Sequence, residues 1–181
     1  MIKVAIMGYG TVGSGVYEVI KTNQESINKK VGQELEIKYV LDLREFPGDP
    51  VMDVLTHDFE DIINDDEVKI VAEVMGGLRP AYDFTKRCLE AGKSVCTSNK
   101  ELVAQHGAEL IQIAKEHQVN YLFEASVGGG IPIIRPLNSS LTADVILEPT
   151  ASVRASSSTY LRAESSDCAA TCSRPRPARL Y

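Results

Sequence analysis

Three groups of residues in this chain have types and spacings suited to chemistry. The first is Gly8-Tyr9-Gly10-Thr11-Val12-Gly13, a G-x-G-x-x-G run placed directly after a short apolar segment and before an amphipathic one. In a strand-turn-helix setting Gly8 permits the tight turn, Gly10 lets a diphosphate approach the backbone, and Gly13 allows the helix to pack closely on the strand. Thr11 and Val12 then open the helix, whose unpaired N–H groups and positive dipole end attract phosphate. The second group is Thr97-Ser98-Asn99-Lys100-Glu101. Ser98 or Asn99 suits a helix cap, which puts Lys100 in the first turn, the wrong sign for the helix dipole. A cation held there points to an anion or a developing oxyanion opposite, and a lysine extended into water is the plain alternative. The third is Phe123-Glu124-Ala125-Ser126-Val127-Gly128-Gly129-Gly130-Ile131-Pro132. A carboxylate at a strand end, followed by a glycine-rich turn with inward carbonyls, supplies oxygen ligands for a hard cation. A helix cap or a hinge between domains explains the same residues equally well.

Two further segments bear on the first group. Asp42-Leu43-Arg44 follows an apolar run where a second strand would end. Asp42 there can accept a bond from a ribose 2′-hydroxyl and Arg44 can pair with a 2′-phosphate, so the pair leaves NAD and NADP both open. Two solvated charges are the plain alternative. Val74-Met75-Gly76-Gly77 places two glycines at the end of a third strand, where Gly76 would allow close approach of a cofactor crossing the sheet edge. A simple turn accounts for it too.

Positioning these groups requires alternating strands and helices. Strands are expected at residues 2–7, 35–41, 69–74, 94–96 and 120–125, and helices at 11–28, 80–91 and 100–116, where apolar residues return at three- and four-residue intervals. The fold class that follows is α/β, a Rossmann-type doubly wound parallel sheet with helices on both faces. A turn is expected around residues 46–50, and Gly92 suits the position just past a helix end.

Composition narrows the function classes. Apolar residues at 44% and charged residues at 24% of 181 fit a globular chain with one ordinary domain and a modest surplus. A net charge of −6 argues against nucleic acid as a partner. No apolar run is long enough for a bilayer, and the N-terminus lacks the features of a signal peptide, so no membrane association and a cytoplasmic location are expected. His57, His106 and His117 show no mutual spacing for a metal or a dyad, and surface placement is expected for them. Neither a hydrolase triad nor zinc-type cysteine spacing is present; Cys88 and Cys96 read as buried free thiols.

Taken as an ordered set, Gly8 to Gly15, Glu73 to Gly77, Thr97 to Lys100 and Glu124 to Pro132 resemble the N-terminal half of homoserine dehydrogenases over about residues 1–145. The resemblance implies reversible NAD(P)H-dependent reduction of aspartate 4-semialdehyde to homoserine, on the route to threonine, isoleucine and methionine. It implies a diphosphate held by Gly8 to Gly13, a 2′-phosphate of NADPH met by Arg44, and a nicotinamide side formed by Ser98 and Lys100. Lys100 would be the catalytic proton donor or oxyanion stabiliser. It also implies a sodium ion held by the Glu124 side chain with main-chain carbonyls of Val127, Gly129 and Ile131, and a homo-oligomeric parent enzyme. Another Rossmann-type reductase, such as an aspartate dehydrogenase, and a non-catalytic nucleotide-binding module are the rival readings.

Residues 146–181 depart from the family pattern. Ser, Ala, Arg and Pro dominate, five arginines face three acidic residues past Ile146, and apolar periodicity is lost. The expected division is a nucleotide-binding domain at 1–145 and an irregular tail at 146–181, standing where the family has its substrate domain. A chain truncated or read out of frame past Ile146 would have that ending, and as a fragment it is expected to catalyse little alone.

Overall fold

The computed structural model describes residues 1–136 and the backbone of two later strands. Two compact units, Met1–Ile131 and Pro132–Tyr181, divide the chain. The expected boundary after residue 145 borders a stretch, 137–145, that lies outside the described residues.

The first unit is built on six parallel strands, β1 (Ile2–Met7), β2 (Leu35–Leu41), β3 (Leu55–Thr56), β4 (Val68–Glu73), β5 (Ser94–Thr97) and β6 (Tyr121–Leu122), in the order β3-β2-β1-β4-β5-β6. This is the doubly wound arrangement that the alternating pattern predicts, and its order reverses direction between β1 and β4. Central β1 is buried through Val4, Ala5, Ile6 and Met7, as a strand covered on both faces must be. One face packs Ala5 and Met7 against Cys88 and Leu89 of helix α4 (Ala81–Glu90) and Leu102 and Leu110 of helix α5 (Lys100–Glu116). The other packs Ile6, Ile37 and Val40 against Val16, Tyr17 and Ile20 of helix α1 (Thr11–Thr22).

Several elements depart from expectation for local reasons. The helix expected at 11–28 is two helices, α1 and α2 (Gln24–Val31). Asn23 separates them because its side-chain amide donates to the Val19 carbonyl at 3.1 Å, competing with the helix ladder. Left-handed Gly32 then closes α2, and the Asn28 side chain accepts from Leu35 N–H at 2.9 Å to turn the chain into β2. The run from residue 50 to 63 holds a 3-10 helix (Pro50–Asp53), β3 and the short helix α3 (Glu60–Ile63), which sequence periodicity does not reveal because each is under two turns or two residues long. The strand expected at 120–125 stops at Leu122, since helix α6 (Glu124–Gly128) begins two residues on.

In the second unit, strands β7 (Ile146–Ala151) and β8 (Thr159–Ala163) pair antiparallel inside the stretch expected to be an irregular tail. The rest of that stretch, with Cys168 and Cys172, lies outside the described residues.

Candidate functional site

Every connection that leaves a strand of the six-stranded sheet at its carboxyl end opens onto one edge. At the end of β1, Gly8 takes φ +101° and its N–H donates to the Leu41 carbonyl at 2.8 Å. A Cβ on Gly13 would stand 1.9 Å from the Gly8 carbonyl oxygen, so only glycine lets α1 start this close to β1. A Cβ on Gly10 would meet nothing within 4 Å. The space above Gly10 is therefore open, and Gly10, as N-cap of α1, offers no side chain to the first-turn N–H groups and no acidic residue follows in that turn. Those groups and the dipole they terminate face outward uncompensated, the condition under which a helix start takes an anion. Exposed Thr11 and Val12 belong to this turn.

Beside the turn lies a cavity of about 490 Å³, lined by Gly8, Gly10, Asp42, Arg44, His57 and Gly76 together with an apolar floor that includes Phe59 and Phe84. The two phenyl rings stack in parallel, 4.0 Å between centroids. A hollow of similar size, about 520 Å³, is lined by Lys38 and a set of carboxylates including Asp61, Asp65 and Glu67. Lys38 is already bridged to Asp65 and Glu67, which leaves that hollow the wrong charge for a diphosphate.

Asp42 and Arg44 are brought together, and more closely than solvated charges would be. Asp42 Oδ1 accepts from the Arg44 amide at 3.0 Å and from Arg44 Nε at 2.9 Å; Oδ2 accepts from Arg44 Nη2 at 2.9 Å and from the Tyr9 amide at 2.8 Å. Four donors occupy the four lone-pair positions of the carboxylate. The Arg44 fork, then the backbone N–H groups, hold the Asp42 carboxyl well below the usual range against the opposing effect of burial. Arg44 Nη2 also donates to the Tyr9 carbonyl at 3.1 Å, and the Arg44 side chain as a whole is 61% exposed. His57, expected only at the surface, is exposed but lines this cavity, its Nδ1 2.6 Å from the Asp42 carbonyl and therefore donating to it. Its placement depends on β3 pairing with β2, a contact that sequence spacing does not show.

At the end of β5 the second group takes shape. Asn99, and not Ser98, caps α5, its Oδ1 accepting from Leu102 N–H at 3.1 Å. Lys100 is the exposed first residue of α5, as the sequence expects. Ser98 is half-buried and its N–H donates to the Glu73 carbonyl at 3.3 Å. Neither Ser98 nor Lys100 lines the cavity; they stand further along the same edge. The third group is placed differently from expectation: Glu124 does not end a strand but opens α6, because Phe123 accepts from both the Ser126 hydroxyl, at 2.6 Å, and the Ser126 amide, at 3.1 Å, and so starts a helix there. Val127 lies in α6, Gly129 ends it with φ +61°, and the Ile131 N–H turns back to the Gly128 carbonyl at 3.1 Å. Among the described residues no three or more His, Cys, Asp or Glu side chains gather to hold a metal. Cys88 and Cys96 are free, and burial pushes the Cys88 thiol up to about 12.

Residues 8–124 match the family model described as the homoserine dehydrogenase NAD-binding domain. The chain belongs to this family. It is 40% identical to the homoserine dehydrogenase of Lactococcus lactis over 152 residues and 42% identical to that of Bacillus subtilis over 148, each match covering 80% of this chain. A solved homoserine dehydrogenase from Thiobacillus denitrificans superposes with a TM-score of 0.72 at 37% identity, over 80% of this chain and 34% of that one. One from S. aureus at pH 8.5 gives a TM-score of 0.66 at 39% identity, over 71% and 33%. The chain spans about a third of the length of the curated relatives it matches, 35% and 34% of those two. The family domain accounts for the Rossmann order, the glycine turn and an NAD(P) cofactor. No helix among the described residues is long and apolar enough to cross a membrane.

Proposed function

We propose that this chain supplies the cofactor-binding part of an NADP-preferring homoserine dehydrogenase. The observation that carries the reading is the uncapped start of α1, opened by Gly10 and bordered by a cavity at whose rim Arg44 stands. The diphosphate would lie against the first-turn N–H groups of α1, with Gly76 giving clearance on the β4 side. Preference for NADPH follows from the lone-pair count at Asp42. A ribose 2′-hydroxyl would have to displace one of four donors, whereas Arg44 keeps Nη1 for a 2′-phosphate.

A reduced nicotinamide held along this edge supplies hydride to the carbonyl of aspartate 4-semialdehyde, giving homoserine, a precursor of threonine, methionine and isoleucine. Ser98 and Lys100 stand toward that side. Lys100, a cation at the start of α5, would stabilise the developing alkoxide and deliver its proton. The Glu124 carboxylate with the main-chain oxygens of Val127, Gly129 and Ile131 would hold sodium, a weakly charged cation that accepts carbonyl ligands; the end of α6 leaves its last carbonyls without helical partners.

Cofactor fluorescence titration of the chain tests the first part. Arg44→Ala should weaken NADPH by about tenfold or more and NADH by less than about twofold, and equal losses would remove Arg44 from phosphate recognition. In a chain carrying the substrate domain, Lys100→Ala should lower kcat by roughly a hundredfold with little change in cofactor affinity. Tight NADPH binding with no turnover in that longer chain would favour the non-catalytic module instead.

A further inference from the structure

Glu73 is the last residue of β4, paired in register with Met7 on one side and Thr97 on the other, and is fully buried. Its partners among the described residues are neutral. One carboxyl oxygen accepts from the Met75 N–H at 2.9 Å and the other is bonded to the Thr97 hydroxyl. Burying a carboxyl without a cation is unfavourable, and burial pushes this one up, its hydrogen bonds only opposing the effect. Nothing in strand packing calls for it, since an apolar residue of that volume would fill the space without the penalty.

The bonds that Glu73 makes run to two different loops. On one side Met75 and Gly76 line the cavity, and Gly77 follows them in the same turn. On the other, the Thr97 hydroxyl also accepts from the Asn99 N–H at 2.9 Å, and Asn99 caps α5 through Leu102. The Asn99 side chain closes the circuit by donating to the Gly77 carbonyl at 2.6 Å. Residues 73, 75, 77, 97 and 99 therefore form one ring of hydrogen bonds across the β4 and β5 ends, with the buried carboxyl at its base.

We propose that Glu73 is a positioning residue that fastens the Met75–Gly76–Gly77 turn to the start of α5, so that the cavity-lining Gly76 and Lys100 are held in one fixed arrangement. The proposal rests on the reading that this edge receives a dinucleotide. It predicts that Glu73 acts on the diphosphate and nicotinamide half of the ligand and not on the adenosine half, which Arg44 and the β2 end would hold.

The test uses the full chain with Glu73→Ala and Glu73→Gln. For Glu73→Ala, NADPH affinity should fall by about tenfold while that of adenosine 2′,5′-bisphosphate changes by less than about twofold, and Glu73→Gln should recover most of the loss. Amide exchange at Met75, Asn99 and Leu102 should quicken together by about tenfold, with Ala5 and Ile6 in β1 still protected. Unchanged NADPH affinity, equal loss for both nucleotides, or faster exchange at Met75 without Asn99 and Leu102 would overturn the proposal. Should Glu73→Ala fail to fold, Glu73→Gln and Thr97→Val decide it: breaking the circuit at Thr97 must quicken Met75 exchange as well as Asn99, and a change confined to Asn99 refutes the link. If the unaltered chain binds neither nucleotide, the dinucleotide reading fails, while the exchange pattern still decides whether Glu73 joins the two loops.

Discussion

At the start of α1 the chain clears space, and at the start of α5 it fills space. Gly10 gives α1 no side-chain cap and an added Cβ there would touch nothing, whereas Asn99 caps α5 and is tied to Gly77 and Thr97, and through the Thr97 hydroxyl to Glu73. The first region leaves main-chain N–H groups uncapped by any side chain of the N-cap residue; the second caps its helix internally through Asn99 and exposes Lys100 and Glu101. The two carboxylates beneath them differ in the same sense. Asp42 is held ionised by the Arg44 fork, while Glu73 is pushed toward its neutral form by burial. One helix start is thus empty and the other filled, along a single edge of the sheet.

The largest expected effect distinguishes the glycines of the emptier region. Gly13→Ala places a methyl 1.9 Å from a backbone oxygen that has no freedom to withdraw, so a loss of about 3 kcal/mol or more is expected in chemical denaturation. Gly10→Ala should cost no more than about 1 kcal/mol, the ordinary difference between these residues at a cap, yet weaken NADPH by tenfold or more in titration. Equal stability losses at the two positions would erase the contrast drawn here. Next comes the cap of the filled region: Asn99→Ala should destabilise by about 1–2 kcal/mol and quicken Leu102 exchange, and a neutral result would show that the ring bears no weight.

The smallest effect sharpens the comparison through pH. Asp42 has a depressed folded pKa, so the stability it contributes is present above its unfolded value near 4 and is lost as pH falls below that. Removing the fork by Arg44→Ala should make stability less sensitive to acid in that window. Glu73 has a raised folded pKa, so its contribution is present below its unfolded value, about 4.3, and declines as pH rises toward the folded value. Glu73→Gln should flatten that decline. Urea midpoints measured across pH for the parent and both variants give the two slopes, and slopes of the same sign would contradict the opposed environments.

Local pattern carried much of this domain. The glycine spacing of the β1–α1 turn, the β-branched runs of β1, β2 and β4, and the period of α5 are all read within a dozen neighbouring residues, because turn geometry and amphipathic faces are local properties. For the same reason Lys100 was legible as the first residue of a helix. What stayed hidden has long sequence separation. The saturation of Asp42 needs Tyr9, 33 residues away, and the Glu73 ring needs Thr97, 24 away; His57 reaches the cavity only because β3 adds to the sheet beside β2. Glu124 misled for a different reason: an apolar run before a glycine cluster fits a strand, and only the turn of Phe123 to Ser126 showed that a helix had begun. Residue types and short spacings thus established a Rossmann frame and the glycine turn after its first strand, since those follow from backbone sterics and periodicity. Which carboxylate is already occupied, which is buried without charge, and which loops are fastened to each other were decided by tertiary structure, because hydrogen bonds and desolvation depend on groups that only folding brings within 3 Å or so of one another.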